Sequence, residues 1–180
     1  MVVVVIAGGD KALRNAAEGV EDDKAAGEKD LAAYAPGALD SVVGISVAGS
    51  ANYVIGALEY AKACGALTVA LTCNADRPLE KLADIAITTD TGAEVITGST
   101  RMKAGSAHKM VLNMLSTGVL IKYGRVYQNY MIYIKPVNGK LRGRMVRMTA
   151  EIFGTDLDNA ERRHIAHHWD LHKVLDTSES

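Results

Sequence analysis

The residues with the greatest chemical potential lie in a short polar cluster in the middle of the chain. Ser99, Thr100, Arg101 and Lys103 follow Gly98 and directly precede a long apolar segment. If that segment is a helix, its first backbone N–H groups are unpaired and carry partial positive charge, which attracts phosphate or carboxylate groups. Hydroxyl groups and two cations beside such a helix start therefore predict an anion-binding site.

Acidic residues at two places have the chemistry of a general base. Glu18, Glu21, Asp22 and Asp23 form an acidic cluster, and their spacing predicts that the two glutamates share a helix face. Like charges held close together raise the pKa of one group, which suits proton abstraction; a solvated charge cluster is the alternative interpretation. Glu94 precedes the polar cluster, and for it helix capping competes with ligand binding as the interpretation.

Histidines and cysteines do not predict a metal site. His168 and His172 have helical i, i+4 spacing, but no carboxylate or cysteine clearly completes a ligand set, so neither a metal nor another cofactor is expected. Cys64 and Cys73 match no close metal-binding spacing and are interpreted as reduced thiols of a cytoplasmic protein. His108 lies in the apolar segment and is interpreted as a core or interface histidine with a hydrogen-bond partner.

Four short apolar runs have the length and composition of buried strands: 2–6, 41–47, 67–72 and 85–88. Helix-length segments separate them, which predicts βαβ units and a three-layer αβα sandwich with a parallel sheet. Ligands bind outside the carboxyl ends of such strands. Three loops reach that edge: 7–10, 48–52 and 73–77.

The apolar segment at 104–121 is hydrophobic around most of its circumference, so the domain or a partner subunit must cover it, and we expect a homodimer. A domain at 1–150 is followed by a helical C-terminal segment at 151–180, whose last residues, 176–180, are expected to form a frayed tail. The run at 2–6 is too short for a signal or membrane segment. Because it starts the chain without any lead-in, we expect a portion of a longer protein.

The overall composition is that of an ordinary globular protein. The 180 residues are 48% hydrophobic and 23% charged, which allows a substantial core. The net charge of −1 creates no basic field, so nucleic acid is not an expected partner.

Three segments together resemble one family. Residues 94–131 read EVITGSTRMKAGSAHKMVLNMLSTGVLIKYGRVYQNYM, residues 6–23 read IAGGDKALRNAAEGVEDD, and residues 53–74 read YVIGALEYAKACGALTVALTCN. These resemble the N-acetylmuramic acid 6-phosphate etherases, over roughly residues 3–148. The resemblance implies a sugar isomerase (SIS) fold, usually as a homodimer, with a small helical C-terminal domain.

The resemblance also implies a function. Members remove D-lactate from N-acetylmuramic acid 6-phosphate to give N-acetylglucosamine 6-phosphate, in peptidoglycan recycling, without a metal or redox cofactor. The family's second acidic residue in a VEGAEDD-like motif corresponds to Glu21, which is therefore the expected catalytic base. The expected substrate-binding residues are Ser46, Gly49, Ser50, Glu94, Ser99, Thr100, Arg101 and Lys103. A non-catalytic phosphosugar-binding or regulatory SIS module, or a sugar-phosphate isomerase using Glu21 or Glu94, are the alternatives.

The chain departs from the family pattern in one loop. Where members read ASGRTPY, residues 48–53 read AGSANY, and a serine hydroxyl, an arginine and a threonine are replaced by Ala48, Ser50 and Ala51. Each lost donor to a phosphate oxygen costs roughly 1.5–3 kcal/mol of binding energy. Members also carry a GxGTSGR-type phosphate loop and a SEC-like glutamate, taken as the acid, before the region that corresponds to residue 2.

Overall fold

Three of the predicted strands form a parallel sheet in the computed structural model, which describes residues 2–176. The strands are β1 (Ser41–Ile45), β2 (Leu67–Thr72) and β3 (Ile85–Thr88), in the order β1-β2-β3. Residues 68–72 of β2 are all buried, and because successive side chains point to opposite faces, both faces of this central strand are covered. The predicted α/β sandwich with a parallel sheet is confirmed.

Two short helices precede the strands and two connect them. They are α1 (Gly9–Ala12), α2 (Lys24–Ala32), α3 (Asn52–Ala63) and α4 (Pro78–Leu82), with a 3-10 turn at Val20–Asp22. Helices α3 and α4 contact each other and the sheet, and Leu58, Ala70 and Leu79 form a buried cluster. Helix α2 approaches α3 so closely that a methyl group at Gly27 would overlap the carbonyl oxygen of Tyr53. A glycine is therefore required where these two helices meet.

The prediction of a strand at 2–6 is wrong. This segment has no strand structure, and Val2 and Val4 are 94% and 80% exposed, whereas Val3 and Val5 line a cavity beside β1. Apolar composition predicts burial, but a strand also requires ladder hydrogen bonds to a neighbour. The segment packs alternate side chains near β1 without pairing with it.

Helix α5 (Lys103–Lys122) agrees with the predicted 104–121 within one residue at each end. Its buried residues are Ala104, His108 and Val111, which share one face at i, i+4 and i+7. Seven other large apolar side chains of α5 are exposed: Met110, Leu112, Met114, Leu115, Val119, Leu120 and Ile121. None of the helices within residues 2–176, α5 included, is long and apolar enough to cross a membrane.

The chain divides into two compact units, Met1–Leu112 and Asn113–Ser180. The second unit contains a short antiparallel hairpin and three helices: β4 (Val126–Tyr127), β5 (Tyr130–Met131), α6 (Gly139–Phe153), α7 (Leu157–Ala166) and α8 (Leu171–Asp176). Its core is built from Met145, Leu171 and Val174, with Ile132 packed among them. The predicted division into 1–150 and 151–180 stays a prediction, and all of the predicted tail except Asp176 lies outside the described residues.

Candidate functional site

A cavity of about 290 Å³ lies in the first unit at the carboxyl ends of the strands, where ligands bind in parallel α/β sheets. Val47 follows β1, Cys73 and Asn74 follow β2, and Asp90 follows β3. The lining residues are Val47, Cys73, Asn74, Asp90, Thr91, Gly92, Ala93, Glu94, Thr97, Gly98, Ser99, Thr100 and Ala104. The cavity therefore joins the strand ends to the polar cluster that precedes α5.

Glu94 caps α5 from within the cavity wall. Its Oε2 accepts a hydrogen bond from the Lys103 N–H, and its Oε1 accepts one from the Ala104 N–H, both at 3.2 Å. The Lys103 N–H, with the Ala104 N–H, holds the pKa of Glu94 below its ordinary value. The chain's own carboxylate thus occupies two of the N–H groups that the sequence offers to an external anion.

Two of the four residues in the polar cluster line the cavity, and two do not. Ser99 and Thr100 belong to its lining, and the Ser99 Oγ accepts a hydrogen bond from the Arg101 N–H at 3.4 Å. The Lys103 Nζ donates to the Ala93 carbonyl oxygen at 2.7 Å, which ties the loop after β3 to the start of α5. Arg101 and Lys103 are exposed and lie outside the lining.

The loop after β1 satisfies much of its own hydrogen bonding. The Gly49 N–H donates to the Ser46 Oγ at 3.1 Å and to the Ser46 carbonyl oxygen at 3.0 Å. Gly49 has a φ of +70°, and a Cβ there would lie 2.6 Å from the Arg77 Cβ, so only glycine fits. Ser50 is exposed, and none of Ser46, Gly49 and Ser50 is among the residues that line the cavity.

The acidic cluster lies elsewhere in the first unit. Glu21 is an exposed residue of the 3-10 turn, which packs against α3, and it does not line the cavity. The predicted shared helix face is wrong, because Glu18 precedes the turn and belongs to no helix. Asp23 caps α2 by accepting a hydrogen bond from the Ala26 N–H at 2.9 Å. Gly19 adopts a φ of +76°, and this left-handed conformation prevents a continuous helix from Glu18 to Glu21.

Several of the cavity residues, Asn74 and Asp90 among them, belong to no motif in the sequence. Asn74 donates from its Nδ2 to the Val47 carbonyl oxygen at 2.9 Å and so links the first two strand ends. Asp90 accepts a hydrogen bond from the Gly92 N–H at 3.0 Å and lines the cavity beside Thr91. Their sequence signal is position alone: each directly or closely follows a predicted strand.

The cavity lining carries acidic rather than basic charge. Asp90 and Glu94 are its ionisable carboxylates, and no lysine or arginine among the described residues lines it. Carboxylates accept hydrogen bonds from hydroxyl groups, so this lining suits a polyhydroxylated ligand. Within residues 2–176 no group of three potential metal ligands is close enough to hold an ion.

His108 has the hydrogen-bond partner that its apolar surroundings led us to expect. It is 6% exposed, and its Nε2 lies 3.3 Å from the Cys73 Sγ. The interpretation of His108 as a satisfied buried histidine is confirmed. Its partner, 35 residues away in the chain, is itself a cavity residue.

Comparison with known proteins agrees with the fold and identifies the family. The family model of the glucokinase regulatory protein N-terminal SIS domain matches residues 1–62. The N-acetylmuramic acid 6-phosphate etherase of Caldanaerobacter subterraneus subsp. tengcongensis is 52% identical over 162 residues, which are 90% of this chain and 53% of that protein.

Two further etherases are similar to the same extent. The N-acetylmuramic acid 6-phosphate etherase of Pectobacterium atrosepticum is 49% identical over 90% of this chain and 54% of its own length. That of Pseudothermotoga lettingae is 49% identical over 88% of this chain and 53% of its own length. The chain thus spans about half the length of the curated relatives it matches. By its sequence, it belongs to the N-acetylmuramic acid 6-phosphate etherase family.

Proposed function

We propose that this protein is a carbon–oxygen lyase that cleaves the D-lactyl ether of N-acetylmuramic acid 6-phosphate in peptidoglycan recycling. The products are N-acetylglucosamine 6-phosphate and D-lactate. The observation that carries the proposal is the identity of about half of all aligned residues to named etherases along 90% of the chain.

The proposed chemistry needs a base but no external oxidant or reductant. In the open-chain sugar the C2 proton is α to the C1 aldehyde, so a carboxylate can remove it to form an enolate. The enolate expels the ether oxygen from C3, and that oxygen takes up a proton as lactate leaves. Water then adds its oxygen to C3 and a proton to C2, which restores the saturated sugar.

Glu21 is the proposed base, and Glu94 is proposed to position the binding site. The pKa of Glu94 is lowered by hydrogen bonds from the start of α5, and a carboxylate with a lowered pKa is a weaker base. Its two N–H partners also fix its orientation. Glu21 lies exposed on the 3-10 turn, where a substrate can reach its carboxylate.

We infer that the cavity binds the sugar and that nearby groups bind the phosphate. Ser99 and Thr100 offer hydroxyl groups inside it, while the Glu94 carboxylate can accept from sugar hydroxyls. The two cations of the polar cluster, Arg101 and Lys103, supply the positive charge that the lining lacks. The loop of Ser46, Gly49 and Ser50 is proposed as the second phosphate contact, with the exposed Ser50 hydroxyl as its donor, because the Ser46 and Gly49 N–H groups already donate within the protein.

Lactate release tests the proposal directly. We expect the protein to release D-lactate from N-acetylmuramic acid 6-phosphate, and Glu21→Gln to reduce the rate by roughly 10²–10⁴-fold, the range for loss of a general base. Glu18→Gln is the matched control, since it removes a carboxylate from the same exposed acidic segment. No lactate from the wild type, or undiminished lactate from Glu21→Gln, contradicts the proposal.

A non-catalytic phosphosugar-binding module is the second candidate. One observation favours it: Glu21 does not line the cavity that holds Glu94, Ser99 and Thr100. Such a module would bind N-acetylmuramic acid 6-phosphate without releasing lactate. Calorimetric titration with that sugar, run beside the lactate assay, separates the two candidates.

We also propose that a second copy of the chain covers α5. A second proposal is that the protein works in the cytoplasm. The seven exposed apolar side chains of α5 would be unusual on a monomer's surface. The thiols of Cys64 and Cys73 are both free, as expected for a reducing compartment. Sedimentation equilibrium should give twice the 19.1 kDa chain mass. The Leu115→Asp variant should instead have the mass of a single chain. A monomeric wild type at micromolar concentration contradicts the homodimer.

A further inference from the structure

A cysteine and a histidine from distant parts of the chain meet at the wall of the cavity. Cys73 directly follows β2, is partly exposed and lines the cavity, whereas His108 of α5 is buried behind it. The Cys73 Sγ lies 3.3 Å from the His108 Nε2 and 3.2 Å from the Thr89 Oγ1. A nucleophile within hydrogen-bonding reach of a base is the arrangement that activates thiols in proteins.

The hydrogen bonds around Cys73 restrict where its proton can go. The Thr89 hydroxyl donates to the Thr72 carbonyl oxygen at 3.1 Å, so its own oxygen faces Cys73 as an acceptor. The single thiol proton is therefore directed at Thr89 or at the His108 Nε2. When His108 takes the proton, a thiolate and an imidazolium remain in contact, and their opposite charges stabilise each other.

We propose that Cys73 and His108 form a covalent ligand site for α,β-unsaturated carbonyl compounds. The His108 Nε2 accepts the thiol proton, and the Sγ electron pair forms a bond to the β-carbon of the ligand. The electrons of the carbon–carbon double bond move to the carbonyl group as an enolate, which the imidazolium then protonates at the α-carbon. The thioether product contains every atom of both reactants. This covalent ligand site does not depend on the proposed lyase activity.

Access and shape support this assignment. Cys73 shares the cavity lining with Asn74, Ser99 and Thr100, so a small carbonyl ligand reaches the sulfur through the cavity. The lining hydroxyls can donate to the carbonyl oxygen on which negative charge develops, and such donors stabilise enolates.

Cys64 is a matched internal control in the same unit. It is partly exposed like Cys73, but it follows the last residue of α3. Its side-chain hydrogen-bond partner is the phenol of Tyr60. A phenol that is protonated at neutral pH does not accept the thiol proton, so Cys64 has the exposure of Cys73 without its base.

N-ethylmaleimide, an α,β-unsaturated imide, tests the site on the wild-type protein at neutral pH. Peptide mass spectrometry of quenched time points gives a separate labelling rate for each cysteine. We expect Cys73 to react about tenfold faster than Cys64, because the reactive species is the thiolate. Equal labelling rates, or slower labelling of Cys73, overturn the proposal without the need for any variant.

The variant His108→Gln then tests the role of the base. It should lower the labelling rate of Cys73 to about that of Cys64 and leave Cys64 unchanged. Loss of folding would instead accelerate Cys64, so the control cysteine reports on the integrity of the variant. An unchanged rate at Cys73 together with an unchanged rate at Cys64 overturns the assignment of His108 as the base.

Discussion

The first and the second unit each contain a buried histidine, and the two histidines differ in their partners. His108 is 6% exposed and contacts the thiol of Cys73, which itself faces the cavity. His164 of α7 is completely buried, with its Nε2 2.8 Å from the Thr149 Oγ1 and its ring stacked on Trp169 at 5.3 Å. One histidine adjoins a reactive group that a ligand can reach, and the other adjoins only its own core.

The difference shows that burial alone does not identify a functional histidine. Burial lowers the pKa of His164, so the ring is held neutral, and the partial compensation from the Met145 carbonyl does not reverse this effect. Its neutral ring hydrogen-bonds to Thr149 and packs on Trp169, which is a structural role. The two roles are distinguished by the side chain that the buried histidine contacts and by whether that side chain reaches a cavity.

The largest expected effect is the loss of stability from His164→Ala. The substitution removes a fully buried ring and leaves the Thr149 hydroxyl without its side-chain partner, which together should lower the free energy of unfolding by about 3 kcal/mol. Trp169 is the only tryptophan and stacks on this ring, so its fluorescence during urea unfolding reports on the second unit.

His172→Ala is the matched control for that measurement. His172 is exposed, and its Nδ1 is 3.3 Å from the Asp176 Oδ2 in a surface pair of the kind that contributes little. We expect a change within about 0.5 kcal/mol. If both variants lose the same stability, the second unit does not depend on the histidine core, and the comparison with His108 fails.

The sequence predicted elements well where a local pattern determines them. Strands β2 and β3 begin and end at the predicted residues, because each is a short apolar run between helix-length segments. The run at 2–6 has the same composition but no ladder partner, which a local pattern does not reveal. Composition therefore predicted the central strands and not the pairing of the first run.

The candidate site depends on contacts between residues far apart in the chain, which spacing alone does not show. The Glu94 cap reaches residues nine and ten positions away, so the choice between capping and ligand binding stayed open at the level of sequence. The pair of Cys73 and His108 joins residues 35 positions apart. Each residue had an unremarkable local context, and only the packing of α5 near the strand ends brings the pair together.

The pH dependence of stability sharpens the comparison with a smaller effect. The pKa of His164 is lowered in the folded protein, so the unfolded chain binds the proton more readily, and acid favours unfolding. Above pH 6.5, about the ordinary pKa of histidine, His164 should therefore not lower the free energy of unfolding. Below that pH, the free energy of unfolding should fall as the pH drops. The slope from one such group is at most about 1.4 kcal/mol per pH unit.

The measurement is urea unfolding followed by Trp169 fluorescence between pH 7.5 and 5. In His164→Gln the carboxylates still titrate, so the difference between the two pH profiles isolates the histidine. His167 remains in both proteins, and its charge, which disfavours protonation of His164, is part of the wild-type slope. Parallel profiles for the two proteins would mean that His164 is as easily protonated in the fold as in the unfolded chain, and the neutral structural role assigned to it would be wrong.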